Sequence, residues 1–381
     1  MNINVLVTDG DQKHTLGIVR ALGKEGFKVG VIVSRKSSLS SFSKYCASEH
    51  LVVAQHDYDY INKLINVYLE SSYDVLLPVG SFANLVCVKF RKLLEKNGIR
   101  LSLPPTDSFY TAFSKEFTAA KAKQLGIDTP RTWYFSSWEE LESFQYDFAN
   151  KIVIKARLEM GANVVKYVST KSEFVTVFKA LCNKYNWKKA NEFPLVQEFI
   201  DGPGRGFFAL FKDGSPIRVF QHIRLREYPV TGGMSVAAKY AHSNYVEEKG
   251  LQLLRSLNWN GIAMVEFKED KNGKLYLLEI NPKFWGSIEL AIHCGANFPV
   301  DYAHLSLEKE LGLGDVTISP NKFHWPLHGD LQTSFKSINR LKDFFRDLLD
   351  PRVGSNIDFK DDVPGTIGIF INLFQKLFKL R

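Results

Sequence analysis

Two alternating apolar runs, Ile262 to Lys268 and Leu275 to Asn281, flank Asn272-Gly273. Asn-Gly between such runs predicts a β-hairpin closed by a two-residue turn. That register sets Glu266 directly opposite Glu279 and turns Asn281 to the same face, because side chains alternate along a strand. Val265, Phe267, Leu278 and Ile280 then line the other, buried face. Like charges directly opposite on a sheet destabilise it. At about 5 Å and an effective dielectric of about 20, two carboxylates repel by about 3 kcal/mol. Water, a shared proton or an intervening cation would relieve this, and Asn281 adds the neutral oxygen that hard divalent ions accept.

Elsewhere the pattern alternates between strands and helices. Val5 to Thr8, the turn Asp9-Gly10 and Thr15 to Lys24 read as strand, turn and helix, with further strands at Val29–Val33 and Val75–Pro78. Such alternation predicts a parallel α/β layer. No GxGxxG follows the first strand, so a dinucleotide fingerprint is absent. Pro104-Pro105 marks a boundary, and a helix is expected over Ser108–Leu125. Strands come next at Lys151–Ala156, Val164–Val168 and Leu195–Phe199, with a helix at Ser172–Lys184. A longer β region, Gly206 to Glu227, turns at Asp213-Gly214, and a helix over Val246–Leu257 leads into the hairpin. The mixture predicts α+β subdomains.

A chain of 381 residues is long enough for two or three packed domains. Its net charge of +8 suits an anionic ligand such as a nucleotide without requiring one. No basic run with interleaved aromatics and no nucleic-acid motif is present, so nucleic acid is not an expected partner. The four cysteines are dispersed without a CxxC pair and read as reduced thiols. The N-terminus reads as a strand and not a signal peptide, and no stretch has the ~18 apolar residues of a spanning helix. A cytoplasmic location is expected.

Several cations interrupt this pattern. Lys155 sits in an apolar strand and Lys115 in a helical stretch, where edge, snorkelling or solvated roles are the plain readings. His222, Arg224 and Arg226 alternate with Ile223 and Leu225, which would place them on one strand face. That face is either a surface ribbon or a cationic wall toward phosphate or carboxylate groups. Gly232-Gly233 comes after it as a turn whose N–H groups could cradle an anion.

Taken in order, Lys115, Lys155, Gln197-Glu198-Phe199-Ile200, Arg224/Arg226, Gly232-Gly233, Glu266 and Leu278-Glu279-Ile280-Asn281-Pro282-Lys283-Phe284-Trp285-Gly286-Ser287 resemble the ATP-grasp superfamily, in its carbamoyl-phosphate-synthase-like branch of carboxylate–amine ligases. The likeness spans about residues 110 to 300. It implies an ATP-grasp fold with an N-terminal Rossmann-like domain at 1–105 and a small subdomain with a phosphate lid at 106–195. A large subdomain with the metal site would occupy 196–310, and an extension with an amphipathic basic tail 311–381. By that resemblance Glu266, Glu279 and Asn281 would hold magnesium, with manganese as a substitute, between ATP phosphates contacted by Lys115 and Lys155. Gln197 to Ile200 would form the hinge, with Glu198, Phe199 and Ile200 at the adenine. Lys283, where the family more often has arginine, would touch the transferred phosphoryl group. Arg224 and Arg226 would orient the carboxylate or its acyl phosphate.

The implied reaction joins a small-molecule carboxylate to an amine through an acyl phosphate, in the setting of cell-surface polysaccharide or amino-acid conjugate synthesis. A carbamoyl- or carboxy-phosphate-forming enzyme and a non-catalytic ATP-binding sensor are the alternatives. Two departures from the family pattern stand out. The lid segment 157–163 has a single glycine, Gly161, and the stretch Asp201 to Arg205 lacks the glutamate expected near the ribose.

In the C-terminal part, Phe323 to Asp330 carries two histidines and reads as a structural loop rather than a metal site. Phe370, Leu373, Phe374, Leu377 and Phe378 fall on one helical stripe, with Lys376, Lys379 and Arg381 off it. Docking on the protein's own body and peripheral contact of residues 365–381 with an anionic membrane both fit this pattern. Oligomeric state is left open.

Overall fold

The computed structural model describes residues 3–158, 164–229, 232–309, 311 and 321–377, the side chains of the last two apart. Three sheets are present among them, and the chain makes them in succession. β1 (Asn4–Val7), β2 (Lys28–Val33), β3 (Cys46–Leu51) and β4 (Val75–Leu77) pair in parallel in the order β3-β2-β1-β4. Val5, Val7, Val29, Val31 and Val75 are all fully buried, as strands covered on both faces must be. The pattern gave no hint of β3, whose polar Cys46–Leu51 sequence belongs to a partly exposed edge.

β5 (Thr132–Trp133), β6 (Ile152–Lys155), β7 (Lys166–Val168) and β8 (Leu195–Glu198) form a small antiparallel sheet in the order β5-β8-β6-β7. Helix Lys171–Tyr185 covers one face through an aromatic core of Phe135, Phe174, Phe178 and Phe193. The third sheet has seven strands among the described residues. Its strands are β9 (Gly204–Lys212), β10 (Ser215–Tyr228), β11 (Met234–Tyr240), β12 (Gly261–Glu269), β13 (Leu275–Asn281), β14 (Lys322–His324) and β15 (Gly354–Ser355). Phe207, Phe211, Val265 and Phe267 pack one face against helix Asn244–Ser256. On the other face, Phe208, Leu210, Phe284 and Trp285 share one core with Val5, Ile18 and Val31 of the N-terminal layer. The parallel layer is thereby fixed against the large sheet.

Two local departures from the sequence pattern shape the cleft between the later sheets. The single helix expected over Ser108–Leu125 is two, Thr106–Phe113 and Lys115–Gln124, broken at Ser114. Ser114 is extended, its hydroxyl accepts from the Phe117 N–H at 3.3 Å, and the Lys115 N–H bonds the Arg157 carbonyl at 2.8 Å. A serine cap therefore starts a new helix at Lys115.

The hairpin turn is also wider than two residues. The Asp270 carboxylate accepts from the N–H groups of Asn272 and Lys274 at 2.8 and 2.9 Å, leaving three residues in the loop with Gly273 at φ +82. That alone would slip the register by one. A bulge at Leu278 restores it: Phe267 faces Leu277, and Glu266 faces Glu279 as expected. The correction falls on Leu278, which turns to the polar face while Leu277, 1% exposed, takes its place in the core.

The C-terminal residues extend the large sheet through β14 and β15. The segment holding the two histidines is structural: His324 lies against Asp330 at 3.2 Å, and His328 bonds Asn356 at 3.1 Å. Helix Val363–Leu377 docks by Ile369 onto Leu16 and Leu39, and its neighbour Asp362 takes Arg20 at 2.7 Å. Among the described residues no helix is long and apolar enough to cross a membrane.

Candidate active site

A cleft of about 300 Å³ lies between the small sheet and the polar face of the large one. Strand alternation sets most of these walls, and the bulge at Leu278 and the end of β8 add neighbouring residues. β6 offers Val153 and Lys155, β8 offers Gln197 and Glu198, β12 offers Met264, Glu266 and Lys268, and β13 offers Leu278, Glu279 and Asn281. One end is apolar, with Val153, Phe199, Ile200, Met264 and Leu278; Tyr167 stands edge-on to Phe199 at 5.7 Å. The rest carries Lys115, Lys155, Arg224, Lys268 and Lys283 against Glu198, Glu266 and Glu279, an excess of positive charge suited to a polyanion.

The opposed carboxylates are held by the protein's own cations. Arg224 Nη2 is 2.8 Å from Glu266 and Lys115 Nζ is 3.1 Å from Glu279. Asn281 Nδ2 donates to Glu279 at 2.9 Å. Burial acts to raise the Glu279 carboxyl, but Lys115, Lys155 and the Asn281 amide outweigh it and hold it down at about 2. Glu266 is pushed up by burial and by Glu279 and Glu227, against the pull of Arg224. The pair is thus asymmetric, with Glu279 the firmly ionised member. The break at Ser114 sets the base of Lys115 beside this pair. Its side chain is 10% exposed, so the solvated reading is excluded. Lys155 is buried in the same way, at 7%.

Gln197, Glu198, Phe199 and Ile200 all line the cleft, with Gln197 bonded to Thr132 at 2.9 Å and Glu198 to Arg131 at 3.2 Å. Lys283 reaches across to Ser81 of the N-terminal layer at 2.7 Å. Gly161 lies outside the described residues. Arg157, at the base of the lid segment, is pinned by Glu116 at 2.9 Å and by the carbonyls of Phe193 and Ala190. Arg226 is the residue that does not join the others. The β10–β11 register shifts between Arg224 and Arg226, and the latter is buried against Asp330 at 2.6 Å and Asp347 at 2.7 Å. An irregular strand breaks the alternation on which a shared face depended.

Other wall residues escaped the sequence pattern. Gln12 and His14, from the start of helix Lys13–Lys24, close the far end beside Trp285, Gly286 and Ser287. His222 Nε2 lies 2.8 Å from the Ser287 hydroxyl, and burial lowers both His14 and His222 to about 3, so both are neutral. His14 Nε2 and Trp285 Nε1, both of residues that line the cleft, are buried without a hydrogen-bond partner in the structure. A separate cavity of about 590 Å³, at the carboxyl ends of β1–β3, shares Gln12 with the cleft.

The donor set suits a divalent ion that arrives with its own anions. Two facing carboxylates and an amide oxygen are hard oxygen ligands, and their cationic surroundings match phosphates that would complete the shell. Among the described residues no group of three His, Cys, Asp or Glu could hold a metal without such help. The fit is therefore to a metal–nucleotide pair rather than to a bare ion.

These sheets, the cleft between them and the preceding parallel layer define the ATP-grasp fold, and the chain has it. Residues 213–322 match the family model described as ATP-grasp in the biosynthetic pathway with Ter operon. The chain is 24% identical over 199 residues to D-alanine–D-alanine ligase of Aquifex aeolicus (strain VF5), covering 50% of this chain and 65% of that protein. It is 21% identical over 238 residues to pyruvate carboxylase of Aspergillus niger, covering 58% of this chain and 19% of that protein. It thus spans less than two thirds of the length of either relative. Among solved structures, the biotin carboxylase domain of Hydrogenobacter thermophilus 2-oxoglutarate carboxylase, in complex with MgADP, ADP and bicarbonate, superimposes with a TM-score of 0.65 at 16% identity. That match covers 84% of this chain and 72% of that one. N5-carboxyaminoimidazole synthetase of Staphylococcus aureus gives 0.59 at 12% identity, covering 82% and 80%.

Proposed function

We propose that the chain is an ATP-dependent carboxylate–amine ligase that forms an amide through an acyl phosphate. The observation that carries this reading is the facing pair Glu266 and Glu279, ringed by Lys115, Lys155 and Arg224 in one cleft. The apolar end around Phe199, Ile200 and Leu278 accepts a flat base, and Gln197 to Ile200 supply the strand edge beside it. Lys115 and Lys155 reach the phosphate chain. Magnesium held by Glu266, Glu279 and Asn281 would neutralise charge growing on the phosphoryl oxygens.

The carboxylate substrate sits at the Gln12–Ser287 end, where His14, Ser287 and Lys283 offer neutral and cationic partners. One of its oxygens bonds the γ-phosphorus as the bond to ADP breaks. Arg224 and Lys283 steady the acyl phosphate, and an amine displaces phosphate from it, losing one proton. Residues 157–163 are proposed to exclude water during this interval. The substrates are proposed to come from amino-acid conjugate or cell-surface polysaccharide synthesis.

Incubation with ATP, magnesium, hydroxylamine and a pool of carboxylic acids tests this reading, with hydroxamates identified by mass and ADP followed in parallel. ATP-dependent hydroxamate from a member of the pool is expected. ADP release stimulated only by bicarbonate would move the reading to carboxyphosphate chemistry. Tight ATP binding without ADP release on any acid would make the chain a nucleotide sensor.

A further inference from the structure

Helix Ile338–Leu349 is built inside out. Phe344 and the charged Asp347 face the protein, Asp347 between Arg226 and Lys322, while Ile338, Phe345, Leu348 and Leu349 face outward. These four are 65%, 49%, 45% and 77% exposed, and their spacing places them on one stripe with Leu341. Helix Val363–Leu377 repeats the arrangement. Thr366, Ile369 and Asn372 are its docked side, and Ile367, Phe370 and Phe374 its outer side. The outer Phe359 stacks on Phe370 at 6.3 Å, and both helices pack on the segment Pro326–Asp330. The apolar stripe for which the sequence pattern left docking and membrane contact both open is, at Phe370 and Phe374, exposed.

Charge is sorted on the same surface. Of the acids in this part of the chain, Asp347 and Asp362 are buried against Arg226 and Arg20, Asp358 and Asp361 are paired with Lys24 and Lys44, and the part-exposed Asp343 and Asp350 are paired with Arg346 and Arg352. Lys336, Lys342 and Lys360 are exposed beside the apolar stripes. No acidic residue comes after Asp362 in the sequence, whereas Lys376, Lys379 and Arg381 do. A soluble helix normally buries its apolar stripe; here two neighbouring helices expose theirs, and the first buries Asp347 instead. Apolar and aromatic side chains bordered by lysine, with the acids buried or paired with cations, match the boundary of a bilayer carrying anionic headgroups.

We infer that the outward stripes of helices Ile338–Leu349 and Val363–Leu377 form one surface that binds an anionic lipid bilayer. The surface holds the cleft near membrane-borne reactants while leaving the catalytic walls untouched, and it stands whether or not the ligase reading does.

Flotation of the full chain with vesicles of phosphatidylcholine, with and without phosphatidylglycerol, tests it, alongside sedimentation equilibrium without lipid. The parent should float with the anionic vesicles and less so in high salt. Phe345→Glu/Leu348→Glu/Leu349→Glu should reduce recovery by about tenfold or more, a change confined to exposed side chains. Phe370→Glu/Phe374→Glu, on the other helix, should act alike if the first variant folds poorly, and Lys342→Glu/Lys360→Glu should weaken binding to anionic vesicles alone. A parent that stays at the bottom with anionic vesicles, or folded variants that float as well as it does, would overturn the inference. So would a lipid-free dimer that the first variant turns into monomer, which would make the face a contact between two copies of the chain.

Discussion

Arg224 and Arg226 are two residues apart and do different work. Arg224 holds Glu266 and Glu227 at the cleft, while Arg226 is sealed against Asp330 and Asp347 on the far side of the irregular strand. Arg224→Gln should lower turnover by about 10²-fold and cost less stability than Arg226→Gln, because Glu227 and Glu266 keep some contact with solvent. Arg226→Gln should instead cost about 3–5 kcal/mol, because buried Asp330 loses its guanidinium and Asp347 is left with Lys322 alone. Urea melts beside ATP-turnover assays separate the two; equal effects on both readouts would restore the shared face. At this scale Glu266, Glu279 and Asn281 were legible because alternation alone sets their side. Gln12 and His14 were not: they join Ser287, the end of the motif block, only because a helix start and a loop more than 270 residues away pack together, and no local pattern records that.

The hairpin shows what periodicity can and cannot carry. Its pairing at Glu266–Glu279 was readable, yet it arises from a three-residue turn and a compensating bulge, neither of which the alternation signals. The core assignment of Leu278 was therefore wrong by one position. Leu277→Ala should cost about 2–5 kcal/mol, the range for emptying a buried leucine site. Leu278→Ala should leave the urea midpoint nearly unchanged while weakening ATP binding, since that side chain borders the apolar end of the cleft. The reverse order of costs would reinstate the unbulged hairpin. Likewise the break at Ser114 was hidden inside an apparently continuous helical stretch, because a serine cap is a common residue and only the Arg157 contact makes it decisive.

Across the whole molecule, the parallel layer and the two later sheets were largely readable from runs of apolar residues, whereas the return of β14 and β15 to the large sheet was not. That return is held by contacts between distant segments, with Phe323 and Trp325 in the shared core and the ion pairs Arg20–Asp362 and Arg226–Asp330. Acid should act on the assembly in a definable way. His14 is lowered to about 3 by burial, with Lys283 and Lys13 adding to the effect. The unfolded chain thus takes up its proton first, and stability present above about pH 6.5 is lost as pH falls toward 3. Asp9, Glu289 and Asp301, raised by burial, oppose this, so the test is a difference. His14→Gln should gain on the parent by up to about 1.4 kcal/mol per pH unit below 6.5 in urea melts; a constant offset would contradict it. The central claim concerns the opposed carboxylates, and calorimetric titration of ATP with and without magnesium into the parent and Glu279→Gln tests it most directly. Magnesium should tighten ATP binding to the parent at least tenfold and give the folded variant little or none of that gain. Equal magnesium dependence in both proteins would contradict the assignment of the metal–nucleotide site to this hairpin.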